Sequence, residues 1–518
     1  MKLGKAIGTI GGLTLLSRVL GMAREAVMAS VLGANRYTDI FLVAFRLPNM
    51  FRRFFGEGAF SAGFVPLFSK RLHGEGGIED AKAFSEEVLA VFLPFLAIFT
   101  LIGQVAMPGL VWALASGLPA ESEQIAVTLS RITFPYLMLI SLVSLFSGVL
   151  NSMNRFTAAA FAPALLNLMM LGALLLVPIG GMASVTALAW SVIAGGIIQL
   201  ALVWWSARRA NVSLRLRRPR MTPGVRQFFL VVFPALISAG VYQISLLIDT
   251  QFLSHLAEGS LSHFNYADRL NQLPLGIIGT ALGTAILPSI SRYIGQDQPD
   301  EANKVQNQAL DMAMLLTLPA AVALAVIGIP IVSLVYRHGE FTPQDAIVTG
   351  NTLALFALGL PAYVLVKVFT PAFFARQDMR TPLYVAIVVL VINLILNFAL
   401  VGPFGLYGLA GALMITAWLN CLLLWAILAR RGHFRLDRQV GSRVLRQVLA
   451  AAAMGGALYA GNHALADFAA GSKLGQIGAP LLLVAGGGLV YLGLGWVIGA
   501  VDKDDVMVLL RRKKVSAE

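Results

Sequence analysis

Stretches of about 20 apolar residues recur along nearly the whole chain, and each is long enough to cross a hydrocarbon core of roughly 30 Å as a helix. Lipid offers no hydrogen bonds to a peptide backbone, so such stretches must be helical or form a closed barrel. Strict two-residue alternation, the mark of a barrel, is absent. The composition agrees: of 518 residues, 58% are hydrophobic and 13% charged, with mean hydropathy +0.78. The fold class expected is an all-α polytopic membrane protein.

With Gly, Pro and charge as punctuation, about 14 spans emerge. They cover 7–32, 37–68, 88–113, 125–150, 158–178, 183–206, 228–254, 264–290, 311–335, 345–373, 382–401, 405–429, 447–465 and 479–500. The opening Met1 to Lys5 resembles a signal n-region, but Arg18 and Arg24 interrupt the apolar run behind it and no cleavage site is evident. It reads as a retained first span. The single Cys421 excludes a disulfide framework or a thiolate metal site.

Connectors alternate in charge. One set carries Lys70 and Arg71, Arg155, the run from Arg208 to Arg226, Arg292 and Lys304, Arg376 and Arg380, and the run from Arg430 to Arg446; the other set is nearly free of Lys and Arg. The positive-inside rule makes the first set cytoplasmic, together with both termini and the RRKK tail. Most of the net charge of +13 is thereby assigned to orientation and anionic lipid, and nucleic-acid binding is not needed to explain it.

At an offset of 222–226 residues the chain resembles itself: Arg46 aligns with Arg269, Pro66 with Pro288, Ser69 with Ser291, Pro135 with Pro361 and Asn167 with Asn393. An even number of spans separates the copies, which predicts two lobes of like orientation related by a pseudo-two-fold axis along the membrane normal. The expected organisation is a six-helix N-lobe in 1–210, a basic cytoplasmic linker in 211–226, a six-helix C-lobe in 227–432, and two added spans with a basic cytoplasmic tail in 433–518.

Charges inside spans are the candidate functional residues, since each costs a few kcal/mol unless it meets protein or water. The first two spans hold Arg18, Arg24, Glu25, Asp39, Arg46, Arg52, Arg53 and Glu57, and the eighth holds Asp268 and Arg269. Mutual pairing explains any one of them: Arg24 with Glu25 or Asp39, Arg53 with Glu57, Arg269 with Asp268. As a set they are richer in arginine than in acid, and a guanidinium fork matches the oxygens of a diphosphate. Glycines and prolines interrupt the second and eighth spans alike, at Gly56, Gly58, Gly63, Pro48 and Pro66, and at Gly276, Gly279, Gly283, Pro274 and Pro288. Close packing and bending in a rocking transporter both account for them. Asp249 with Asn393 and Asn397 could form a hard-cation site for Na⁺ or a coupled proton; interhelical hydrogen bonding explains the same trio. No nucleotide-binding loop, HExxH or nucleophile elbow occurs, so a transporter is expected and an enzyme is not.

The segment SRVLGMAREAVMASVLGANRYTDIFLVAFRLPNMFRRFFGEGAFSAGFVP, with YADRLNQLPLGIIGTALGTAILPSIS, FPYLMLISLVSLFSGVLNSMNRF and FTPAFFARQDMRTP, resembles the MurJ (MviN) lipid II flippases of the multidrug/oligosaccharidyl-lipid/polysaccharide exporter superfamily. The resemblance implies a cationic cavity between two six-helix lobes and a groove at two C-terminal helices for an undecaprenyl tail. It implies essential arginines matching Arg18, Arg24, Arg52 and Arg269, with supporting charges matching Glu25, Asp39 and Glu57; Arg46 stands where some members have Lys. It also implies undecaprenyl-diphosphate-linked lipid II as substrate, alternating access in the bacterial inner membrane, action as a monomer beside the cell-wall synthesis complex, and no cofactor beyond Na⁺ or proton coupling. Another lipid-linked oligosaccharide or a drug is the alternative cargo within the superfamily. A cation exporter would need an acidic cavity lining instead.

Overall fold

The structure is a computed structural model. It describes residues 3–502 except 57–58 and 178–179, the side chains of 3–7, 53–56, 59, 61–62, 233–242, 280–281, 284–285, 470 and 473 lying outside the description. All regular elements among the described residues are helices. They are α1 (Leu3–Leu32), α2 (Arg36–Gly56), α3 (Ala59–Leu72), α4 (Gly77–Ala115), α5 (Ala120–Thr133), α6 (Tyr136–Ser152), α7 (Thr157–Leu176), α8 (Gly181–Arg209), α9 (Pro223–Ser254) and α10 (Ser260–Gly295). There follow α11 (Pro299–Val326), α12 (Gly328–Tyr336), α13 (Pro343–Phe374), α14 (Arg380–Arg430), α15 (Arg438–Ala464), α16 (Ala466–Gly471) and α17 (Lys473–Val497).

Nine of these segments are long and apolar enough by length and composition to cross a membrane, with α5 and α6 acting as one. The charged α1, the charged and broken pair α2–α3, and α9 and α10 stand outside that set. The 51-residue α14 hides a reversal. Gly405 has φ 53 and ψ −130, a backbone conformation open to glycine. Asn393 Nδ2 donates to Thr416 Oγ1 at 3.5 Å, and a Cβ on Gly408 would meet Leu400 O at 2.1 Å. Both pairs are centred on the residues beside Gly405, so α14 is an antiparallel hairpin of two rods. Taken with α1, α2–α3, α9 and α10, the arrangement matches the 14 spans expected.

Packing divides the chain into two compact units, Met1–Ser262 with His338–Phe341, and His263–Arg337 with Thr342–Glu518. This boundary differs from that of the sequence repeat, which separates residues 1–210 from 227–432. Aromatic packing places α9 in the first unit. The Phe60 ring of α3 packs 5.4 Å from that of Phe92 of α4 and, edge to face, 5.3 Å from that of Phe228 of α9. Gly63 admits α9 closely, since a Cβ there would stand 2.4 Å from Val232 Cγ2. The basic segment after α8 is also fastened to this unit. Buried Glu86 of α4 accepts Arg215 N at 3.0 Å and Arg217 Nε at 2.6 Å, and Glu87 accepts the Thr222 hydroxyl at 2.7 Å. The tetrapeptide 338–341 joins through Glu340 N donating to Ser30 O at 2.8 Å.

The second unit is built on α11, α13 and α14, with Phe369, Phe373, Cys421, Leu424 and Phe434 in its core. The C-terminal helices dock on α11 through a buried acid. Asp311 accepts Gln447 Nε2 at 2.7 Å and pairs with Arg443 at 3.0 Å, while Tyr491 donates to Leu315 O at 3.0 Å.

Candidate functional site

The charges of α1 meet contrasting surroundings. Arg18 is exposed beside exposed Leu15, Leu16 and Val19, and it makes no ion pair among the described residues. Arg24 is buried. Its Nη2 bonds the Glu25 carboxylate, its Nη1 donates to Asn167 Oδ1 at 3.1 Å, and Met170 Sδ lies 3.5 Å away. Asn167 donates in turn to Ser17 O at 3.1 Å, so one amide ties α7 to α1 and orients the guanidinium. Of the two acids weighed for Arg24, Glu25 is its partner.

Asp39 has another role. Its Oδ2 accepts Gly259 N at 2.7 Å, and its Oδ1 accepts Ser262 N at 2.8 Å and Ser262 Oγ at 2.5 Å. A carboxylate at the first turn of α2 thus satisfies the orphan donors where α10 begins and opposes their positive end. Gly259, at φ 87, supplies the turn that points its N–H inward.

Further along α2, Arg46 Nε donates to Thr250 Oγ1 of α9 at 2.9 Å. Half-buried Arg52 donates Nε to Asn49 Oδ1 at 3.1 Å, a local bond one turn back along α2 that steadies the side chain. The side chain of Arg53 and all of Glu57 lie outside the described residues. In α9, Asp249 is 2% exposed.

In the second unit, Asp268 accepts Gln272 Nε2 one turn on, and Arg269 beside it is half-buried. Asn393 and Asn397 share a face, as their spacing requires. Asn397 Nδ2 donates to Asn393 Oδ1 at 3.3 Å, and Asn393 reaches across the hairpin to Thr416. The carboxylate of Asp249 and these amides are hard oxygen donors of the kind Na⁺ takes. The asparagines already hold one another, and Asp249 belongs to the other unit.

One cation escaped the sequence reading. Lys367 of α13 lies against Gly279 of α10, where a Cβ would stand 3.1 Å from Nζ. Its signal was a lone Lys in the apolar run YVLVKVF.

A helical membrane protein with these arginines in its opening helices has the architecture of a multidrug/oligosaccharidyl-lipid/polysaccharide-type transporter. A solved structure titled "Lipid II flippase MurJ, inward closed conformation" matches with TM-score 0.79 at 24% identity, covering 97% of this chain and 99% of that one. An inward-facing multidrug-resistance MATE transporter matches at TM-score 0.67 and 14% identity, over 83% of this chain and 98% of that one. The profile described as "Lipid II flippase MurJ" matches residues 28–477, and the chain belongs to that family. A probable lipid II flippase MurJ of Rhizobium meliloti is 42% identical over 465 residues, 89% of this chain and 86% of that protein. A lipid II flippase MurJ of Burkholderia cenocepacia is 37% identical over 441 residues, 84% and 85% of the two.

Proposed function

We propose that the chain carries lipid II, the undecaprenyl-diphosphate-linked peptidoglycan precursor, from the inner to the outer leaflet of the cytoplasmic membrane by alternating access. Family membership along residues 28–477 carries this reading. The residues supply the chemistry. Arg18, Arg24, Arg52 and Arg269 are the proposed diphosphate ligands, because arginine binds phosphate oxygens through a planar fork. Glu25 and Asn167 hold Arg24 in one orientation, as preorganised recognition requires. One copy of the chain contains every proposed ligand, so a monomer suffices. The positive charge of the connectors supports a cytoplasmic side for both termini.

Asp249, Asn393 and Asn397 are proposed to couple the cycle to Na⁺ or a proton. Asp249→Asn should then slow flipping without loss of folded protein; full activity of that variant would return the trio to structural hydrogen bonding. The proposed transport is tested in cells depleted of their own flippase. Expression of this chain should restore growth and expose lipid II on the outer leaflet. Absence of exposure at a normal membrane level would overturn the proposal.

A further inference from the structure

The first unit holds an arginine that the transport reading does not use. Arg131 of α5 is exposed and opens on a cavity of about 400 Å³ lined by Thr128, Arg131, Ile132, Pro135, Trp190 and Ile193. Two prolines explain its position. Pro108 has no N–H to give Gln104 O one turn below, and Pro135 has none for Arg131 O. Each residue repairs the other's orphan: Gln104 Nε2 donates to Arg131 O at 2.8 Å, and Arg131 Nε donates to Gln104 O at 3.3 Å. Gly103 allows the approach, since a Cβ there would stand 2.2 Å from the Phe134 ring.

That exchange uses one N–H of the guanidinium and leaves its charge uncompensated. Among the described residues Arg131 has no acidic partner. It lies with Trp190 at roughly 13–17 Å from the loop ends of α5 and α8, at about 1.5 Å per residue, where a bare cation facing hydrocarbon is unfavourable. The exposed face of α5 is polar down to this level, through Gln124 and Thr128. Below it the walls are Ile132, Pro135 and Ile193. A polar stripe ending on a cation above an apolar floor has the profile of a phospholipid headgroup over its acyl chains. Trp190 is 59% exposed, and its indole N–H makes no hydrogen bond among the described residues, which provides a second donor of the interfacial kind.

We propose that this cavity is a binding site for one anionic glycerophospholipid, its phosphate on Arg131 and Trp190. The leaflet is the outer one in the orientation proposed above; the site itself stands independently of the transport reading. Charge complementarity selects a phosphodiester with a net negative headgroup, which a guanidinium engages through two oxygens.

The test is native mass spectrometry of the full-length protein titrated with phosphatidylglycerol, phosphatidylcholine or lipid II. The first phosphatidylglycerol should bind about ten-fold more weakly to Arg131→Gln and several-fold more weakly to Trp190→Ala, with lipid II affinity unchanged. Gln keeps a donor for the Gln104 carbonyl, and Trp190→Ala changes a lipid-facing side chain, so at least one variant reports on a folded protein. Arg131→Lys should retain binding within a few-fold. Equal phosphatidylglycerol affinity in wild type and both variants would overturn the proposal, as would no preference over phosphatidylcholine. A parallel loss of lipid II would also overturn it, assigning the cavity to substrate.

Discussion

Arg18 and Arg24 share α1 and meet opposite surroundings, so their truncation should fail in opposite ways. Arg18→Ala removes an exposed cation and should leave abundance and melting temperature unchanged. If it binds diphosphate, lipid II affinity should fall by about ten-fold or more, since a charge-assisted contact contributes roughly 1.5–3 kcal/mol. Arg24→Ala also strips compensation from buried Glu25, so folding should suffer by up to about 3–5 kcal/mol. Adding Glu25→Gln should recover folded protein and leave transport impaired. Rescue of both would make Arg24 a structural partner alone. Away from the membrane spans, Asp378 accepts Thr381 N and Oγ1 at 3.0 and 2.6 Å and Arg431 Nη1 at 2.7 Å. These bonds, the Thr381 hydroxyl foremost, hold its carboxyl at about 2 instead of 3.8. A depressed pKa means that the stabilisation is complete above about pH 4 and is lost as pH falls towards 2. Asp378→Ala should cost about 1 kcal/mol at neutral pH, as lost helix caps do. The gap between wild type and variant should close in acid melts, and a pH-independent gap would refute the assignment.

Among the elements, the segment between α8 and α9 departs most from what its composition suggests. Its arginines read as a basic cytoplasmic linker between two lobes, and its charge led to an orientation. Glu86 and Glu87 were legible only as charges before the third span; nothing in their spacing reveals that they meet Arg215, Arg217 and Thr222 more than a hundred residues later. Glu86→Ala should loosen this segment. With charge-assisted bonds of roughly 1.5–3 kcal/mol removed, the open population and the tryptic cutting that follows it should rise about ten-fold or more. An unchanged cleavage rate between Arg215 and Arg220 would show that Glu86 does not restrain it. The hairpin in α14 is the converse case. Gly402 and Gly405 with Pro403 marked the break between the spans 382–401 and 405–429 directly, because a reversal within so few residues needs a backbone that only glycine readily adopts.

For the whole molecule, orientation remains the property to measure. Cys421 is 3% exposed, so the wild-type chain should resist an impermeant thiol reagent in intact cells. Cysteines at Ser116 and exposed Glu258 should label from outside, and one at Ser213 should not. Labelling of Ser213 would invert the topology. Glu258 serves better than its neighbour Gly259, whose positive φ of 87 would be strained by a side chain. The number of spans, their helical character and the family were determined by sequence, because a bilayer imposes length and apolarity locally and family motifs are contiguous. The presence of charge at Arg18, Arg24, Asp39 and Arg269 was likewise plain. Which partners are taken was decided by tertiary structure: for Arg24, Glu25 of the two acids the sequence offered, with Asn167; for Asp39, the start of α10; for Asp311, the C-terminal helices; for Arg131, a carbonyl orphaned by Pro108. Apart from Glu25, the neighbour of Arg24 in α1, each partner comes from a segment distant in sequence, where a polar group is satisfied by whatever packing brings near, and helical periodicity predicts a face without naming what that face meets.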